Sequence, residues 1–145
     1  VRATSKDDGR EFGDDAMTND EREILAANQR LLESIASADW NTYAELCDST
    51  LSCFEPEARG QLVEGMAFHK FYFDLGASSG PRTTTMAGAK VRFLGNDAAI
   101  VSYVRLTQKL GADASPTTAV VEETRVWQRQ SGRWKHVHFH RSSPG

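Results

Sequence analysis

Residues 122–141, "EETRVWQRQSGRWKHVHFHR", hold two strand-like runs around Ser131-Gly132, and the register between them decides what the fold puts inside. Successive side chains of a strand point to opposite faces. On an unbroken strand His136, His138 and His140 share one face, and Val137, Phe139 and Arg141 share the other. A two-residue Ser131-Gly132 turn would set Arg125 opposite His138 and split the aromatics between faces. A three-residue loop with Gly132 in the left-handed conformation, a G1-bulge hairpin, sets Arg125 opposite Val137. One face then collects Val121, Arg125, Trp127, Val137, Phe139 and Arg141, while the other collects Glu122, Thr124, Gln128 and the three histidines. Burial of one face sorts apolar from polar residues in this way, so the bulged register is expected.

Upstream, turn signals "GND" and "GADASP" separate strands at about 84–94, 98–110 and 117–129, with the last at 133–141. The same sorting groups Val91, Phe93, Val101, Tyr103 and Arg105. Before the strands, Thr18 and Glu21 have capping-box spacing, and Ile24, Leu25, Leu31, Leu32 and Ile35 recur on one helical face. They predict a helix over 19–38. Asp39 can cap a short helix carrying Trp40, Tyr43 and Leu46 inward, followed by a strand at "TLSCF" and a turn at "EPEARG". A further helix is expected over about 62–75, where Phe68, Phe71, Tyr72 and Phe73 surround the axis and suggest contact with another subunit. Helices first and an antiparallel meander afterwards give the α+β class.

The chain has 145 residues, 39% of them hydrophobic and 26% charged, which suits one globular domain. Residues 1–17 carry almost no apolar residues and read as a disordered leader or linker remnant, with Met17 a candidate native start. The domain is expected over 18–142 and a tail over 143–145. Only Cys47 and Cys53 are present, without disulfide or zinc-site spacing, so they read as packing residues of a protein in a reducing, cytoplasmic setting. A net charge of -3 offers no basic field for nucleic acid, and no run is apolar enough for a membrane partner.

Arg105, Arg125 and Arg141 thus fall among core-facing residues, where a permanent charge needs a partner. Either neighbouring carboxylates neutralise them, with Glu123, Glu55, Glu57 and Glu64 as candidates, or they form an anion pocket for a carboxylate or phosphate. If carboxylates offset only part of the charge, Arg125→Gln would relieve repulsion among cations. The H-x-H-x-H row could face zinc, but nothing in the sequence supplies fixed supporting partners, so no metal is expected there. His69, on the aromatic helix, reads as a core histidine.

Together "CFEPEARGQLVEGMAFHKFYF", "YVRLTQ", "EETRVW" and "GRWKHVHFHR" resemble the association, or hub, domain of calcium/calmodulin-dependent protein kinase II, over about 18–142. The resemblance implies a fold like that of nuclear transport factor 2, a cone in which a long N-terminal helix packs into a curved antiparallel sheet. It implies a non-catalytic scaffold without cofactor, assembling with itself into stacked rings, dodecamers or tetradecamers, that cluster kinase domains in cis or in trans. It also implies a pocket for a small carboxylate or an acidic peptide, whose positions fall here on His69, Arg105, Arg125 and Arg141. Oligomer contacts are expected at Phe71, Ile100, Val104 and Leu106, because "IVSYVRL" is apolar on both faces. "LGASSGPRTTT" departs from the tryptophan-bearing connection of animal hubs. The alternative is an isomerase- or dehydratase-type enzyme of the same fold class, using His69 with Glu64 or Glu123 as base. No H-R-D or D-F-G signature of a kinase occurs.

Overall fold

The structure, a computed structural model, describes residues 16–144; residues 1–15 of the leader expected over 1–17, and the final Gly145, lie outside them. Helix α1 spans Asn19–Ala36 and α2 Trp40–Leu46, followed by β1 (Cys47–Phe54), a 3-10 turn at Pro56–Ala58, β2 (Val63–Glu64) and α3 (Ala67–Asp74). Four long strands complete the chain: β3 (Arg82–Phe93), β4 (Ala98–Leu110), β5 (Pro116–Gln130) and β6 (Arg133–Ser142).

Helix α1 begins where the capping box predicts. Thr18 Oγ1 accepts from the Glu21 amide at 3.1 Å, and Glu21 Oε1 accepts from the Thr18 amide at 2.9 Å. Its apolar stripe buries Ile24, Leu31 and Leu32, each worth about 1.5–3 kcal/mol. Asn28, on the same face, accepts from Trp127 Nε1 at 3.0 Å and ties the helix to the middle of the sheet. Asp39 caps α2 through the Thr42 amide, which leaves Tyr43 and Leu46 buried.

The six strands run in the order β2-β1-β6-β5-β4-β3. The sheet is mixed rather than antiparallel throughout, because β1 pairs parallel to β6. Helix α3 starts at Ala67 and not near 62: Val63 and Glu64 pair with Cys53 and Ser52, and Gly65 then takes φ +87°, outside the helical region.

The decisive hairpin uses neither register considered in full. Ser131 and Gly132 form a two-residue turn with φ of 51° and 78°, both left-handed as a type I′ turn requires, and Gln130 pairs with Arg133. Between Trp127↔His136 and Val126↔His138 the register slips by one residue, so Val137 is a bulge. Arg125 therefore faces Phe139, not Val137. One extra residue is present, as apolar sorting requires, but it sits inside β6 instead of in the loop. A second bulge at Gly88 and Ala89, opposite Tyr103, lets Gly88 take φ +66° and bends β3.

The bulge at Val137 also separates the histidines. His136 lies on the inner face and is wholly buried, while His138 is half-buried and His140 exposed on the other face. The common face expected for the three does not exist.

Candidate functional site

Alternation along β4 and β5 turns Ala99, Val101, Tyr103 and Arg105 inward beside Glu123, Arg125 and Trp127. Register then fixes the neighbours: Arg125 pairs with Val101 and Phe139, and Glu123 with Tyr103 and Arg141. The three arginines consequently meet with His69 of α3 around one cavity of about 240 Å³, whose apolar wall includes Tyr43, Phe73 and Phe139.

Arg125 is 1% exposed and fully engaged. Its Nε donates to Tyr103 Oη at 2.9 Å and Glu123 Oε1 at 3.2 Å, and its Nη2 donates to Glu123 Oε1 at 3.0 Å. Its plane lies 4.4 Å over the Phe139 ring. Its Nη1 lies 3.3 Å from His136 Nε2. A guanidinium only donates, so His136 Nε2 accepts and its Nδ1 carries the proton, 3.4 Å from Cys47 Sγ. Burial and the adjacent Arg125 charge hold His136 neutral, well below the usual imidazole range.

Glu123 has no exposed side-chain surface and serves two arginines, since its Oε2 lies 3.3 Å from Arg105 Nη2. Burial alone would push its carboxyl up, but Arg125 and Arg105 pull it below the ordinary value. Arg141 Nη2 reaches Glu55 Oε2 at 3.0 Å and also Glu57 Oε1. Of the carboxylates considered from sequence, Glu123, Glu55 and Glu57 take part, while Glu64 lies on β2 away from the cavity.

Three arginines and three glutamates therefore balance formally, and the expectation of partial compensation does not hold. Arg125→Gln would not relieve cation repulsion; it would take two hydrogen bonds from Glu123 and the donor that faces His136. Arg105 is different. Burial lowers its pKa, Glu123 restores it only in part, and its buried Nε has no hydrogen-bond partner. An ionised buried donor without an acceptor costs more than a satisfied one. The cavity thus has compensated charge, with an unpartnered donor at Arg105 Nε and an unpartnered acceptor at Glu123 Oε2.

His69 is only 6% exposed and forms part of the cavity wall. Its Nδ1 is 3.5 Å from Glu55 Oε1 and its Nε2 is 3.8 Å from Cys53 Sγ. Burial lowers its pKa, so the imidazole is predominantly neutral at pH 7. The proximity of Cys53 is missed by sequence reading because the contact joins β1 to α3; only the inward parity of Cys53 and His69 hints at it.

The expected contact residues lie outside this cavity. Phe71 of α3 is 61% exposed. Ile100, Val104 and Leu106 are half-buried on the outer sheet face, beside Val126, Glu122 and Val120 of β5 respectively. Ser52 Oγ lies 2.7 Å from His138 Nδ1 on that face, and Phe54 packs against His140. No helix among the described residues is long and apolar enough to cross a membrane.

Residues 20–145 match the calcium/calmodulin dependent protein kinase II association domain. The chain is 46% identical over 123 residues to the delta subunit of calcium/calmodulin-dependent protein kinase type II of Oryctolagus cuniculus, covering 83% of this chain but only 23% of that protein's length. The hub homology domain of the same kinase from Chlamydamonas reinhardtii superposes with a TM-score of 0.83 at 46% identity, covering 88% of this chain and all of that one. The association domain from C. elegans gives 0.81 at 45% identity, over 86% and 95% of the two chains. More distant structures share the fold alone. They include a nuclear transport factor 2-like protein of Salmonella enterica at 23% identity and TM-score 0.68, over 86% and 90% of the chains.

Proposed function

The chain belongs to the calcium/calmodulin-dependent protein kinase II association-domain family, and from that membership we propose that it is a non-catalytic self-association domain. It builds a stacked ring of twelve or fourteen subunits, to be counted by native mass. The ring clusters kinase domains joined in cis or recruited in trans. The observation that carries this reading is the outer sheet face, where Ile100, Val104 and Leu106 stand with Val120 and Val126 among Ser102, Glu122 and Thr124, on strands whose alternate residues Val101, Tyr103 and Trp127 are already in the core. Two free buried cysteines favour a reducing compartment such as the cytoplasm.

The inner cavity accepts a small carboxylate or an acidic side chain. Support comes from the unpartnered Arg105 Nε and from two further guanidiniums beside an apolar wall, since arginine forks match carboxylates in geometry. An isomerase- or dehydratase-type reaction fits less well. Glu123 is held ionised between two arginines and makes a weak base, and Glu64 does not reach the cavity.

Native mass spectrometry tests the assembly: rings are expected, and a stable monomer or dimer at micromolar concentration refutes them. Thermal shift with a small carboxylate tests the cavity. Stabilisation is expected to grow with ligand concentration and shrink with salt. Arg105→Gln is expected to weaken binding by about 1.5–3 kcal/mol, the value of a hydrogen bond to a charged group. Equal binding by wild type and Arg105→Gln refutes the cavity assignment.

A further inference from the structure

Cys53, Glu55 and His69 meet beside the cavity, at the junction of β1, the segment after it and α3. Cys53 Sγ is 3.5 Å from Glu55 Oε1 and 3.8 Å from His69 Nε2, and Glu55 Oε1 is 3.5 Å from His69 Nδ1. One donor atom from each residue lies within 4.8 Å of the other two. We propose that these three residues form a binding site for a thiophilic divalent cation of the zinc class, with its fourth position open to the arginine-lined cavity.

Donor chemistry and spacing both support this. A thiolate, an imidazole and a carboxylate are the three side-chain ligand types of zinc, and bonds of about 2.0–2.3 Å around a tetrahedral centre set ligand-to-ligand edges of about 3.3–3.6 Å. Cys53 and Glu55 approach different nitrogens of His69, so the separations match those edges pair by pair, and with one nitrogen serving both partners the three donors lie within 4.8 Å, which a turn of the imidazole must close. His69 is already neutral, as a ligand must be. Glu55 uses separate oxygens for its two tasks: Oε1 faces Cys53 and His69, and Oε2 faces Arg141. Coordination through Oε1 leaves the Arg141 pair in place, and Glu57 gives Arg141 a second carboxylate. Glu55 and His69 both line the cavity, so a fourth ligand reaches the ion from there.

The nearby guanidiniums oppose a dication, which favours modest affinity over a permanently filled site. The thiol also carries a proton that the ion must displace. Burial and Glu55 push Cys53 up to about 12, so it is no activated nucleophile in a thiol–imidazole pair. Displacing one proton per ion makes affinity rise about tenfold per pH unit below the thiol pKa. Residue order does not point to this site, because the histidine row, the pattern that invites a metal, is a different set of residues. His138 and His140 lie on the opposite sheet face.

Cobalt(II) titration of untagged full-length protein at pH 7.5 tests the proposal. Expected are the near-ultraviolet thiolate-to-cobalt charge-transfer band and tetrahedral visible bands, saturating at one ion per chain and displaced by zinc. Affinity is expected to rise about tenfold from pH 6.5 to 7.5. Cys53→Ala, with unchanged far-ultraviolet dichroism and native mass, is expected to abolish the charge-transfer band, and His69→Gln to weaken binding at least tenfold. Cys47→Ala and His138→Ala/His140→Ala are expected to leave both intact. Absence of a charge-transfer band in the wild type, which needs no variant to fold, overturns the site. So does a band that survives Cys53→Ala or disappears with Cys47→Ala.

Discussion

Replacing Arg125 by glutamine removes the most connected side chain in the cavity, and the expected cost follows from what it leaves behind. Glu123, without exposed side-chain surface, loses two hydrogen bonds from Arg125 and keeps the Tyr103 hydroxyl and Arg105 at 3.3 Å. Tyr103 Oη and His136 Nε2 each lose a charged donor, and Phe139 loses its cation. Breaking a buried ion pair from one side costs about 3–5 kcal/mol, because the remaining charge is left without compensation. For the roughly 130 described residues the unfolding entropy is near 0.27 kcal/mol per degree, so the midpoint is expected to fall by about 11–18 °C. Arg105→Gln is the internal control. It gives up a single pair from a side chain 15% exposed, whose Nε is already unsatisfied, and Glu123 keeps Arg125. Its cost is expected to be about 1 kcal/mol, or about 4 °C. Differential scanning fluorimetry at one protein concentration, supported by urea unfolding, reads the difference. An Arg125→Gln variant as stable as Arg105→Gln would refute the reasoning, because the two guanidiniums would then be equivalent and Glu123 would not depend on either.

Val104→Asp and Ile100→Asp are expected to shift native mass from the ring to small species while far-ultraviolet dichroism persists, since each places a charge in an apolar contact outside the subunit core; an intact ring would contradict the interface. Stability is expected to fall as pH drops from 7 to 5. Burial lowers the folded-state pKa of His136, His69 and His138, so the unfolded chain takes up protons first, near 6.5, and stability is complete only above that value. Equilibrium unfolding that is flat across this window would contradict it. Gly132→Val is expected to cost about 1–2 kcal/mol in chemical denaturation, because φ +78° suits glycine and penalises a β-branched residue; a smaller loss would mean the turn re-forms with another geometry.

Much of this was legible in residue order because parity and period are strong signals. The apolar stripe of Ile24, Leu31 and Leu32 predicts α1 to within two residues, and alternation places Arg105, Arg125 and Arg141 on the face of Trp127 and Phe139. Parity, however, counts only whether an odd residue is present between Trp127 and Phe139. It is indifferent to position, so Val137 and the loop were equally good hosts, and the choice decided whether His136 went in or out. The parallel pairing of β1 with β6 leaves no local trace, because 86 residues separate Ser52 from His138. For the same reason the company of Cys53, Glu55 and His69 depends on tertiary placement. Charge balance was the other blind spot: composition names the carboxylates but not that Glu123 serves two arginines while Arg141 takes two carboxylates for itself.

The place of β6 between β1 and β5 also dictates an order of events during synthesis. The last strand among the described residues is a middle strand of the sheet. Until Ser142 has cleared the ribosome, β1 and β5 each present a bare hydrogen-bonding edge, and the three-stranded meander of β3, β4 and β5 has no floor under its arginines. Closing the sheet then waits for contacts of long sequence separation, which slows folding. A nascent chain stalled a few residues short is exposed to pairing edge to edge with its neighbours on the same message, which are the nearest strands available.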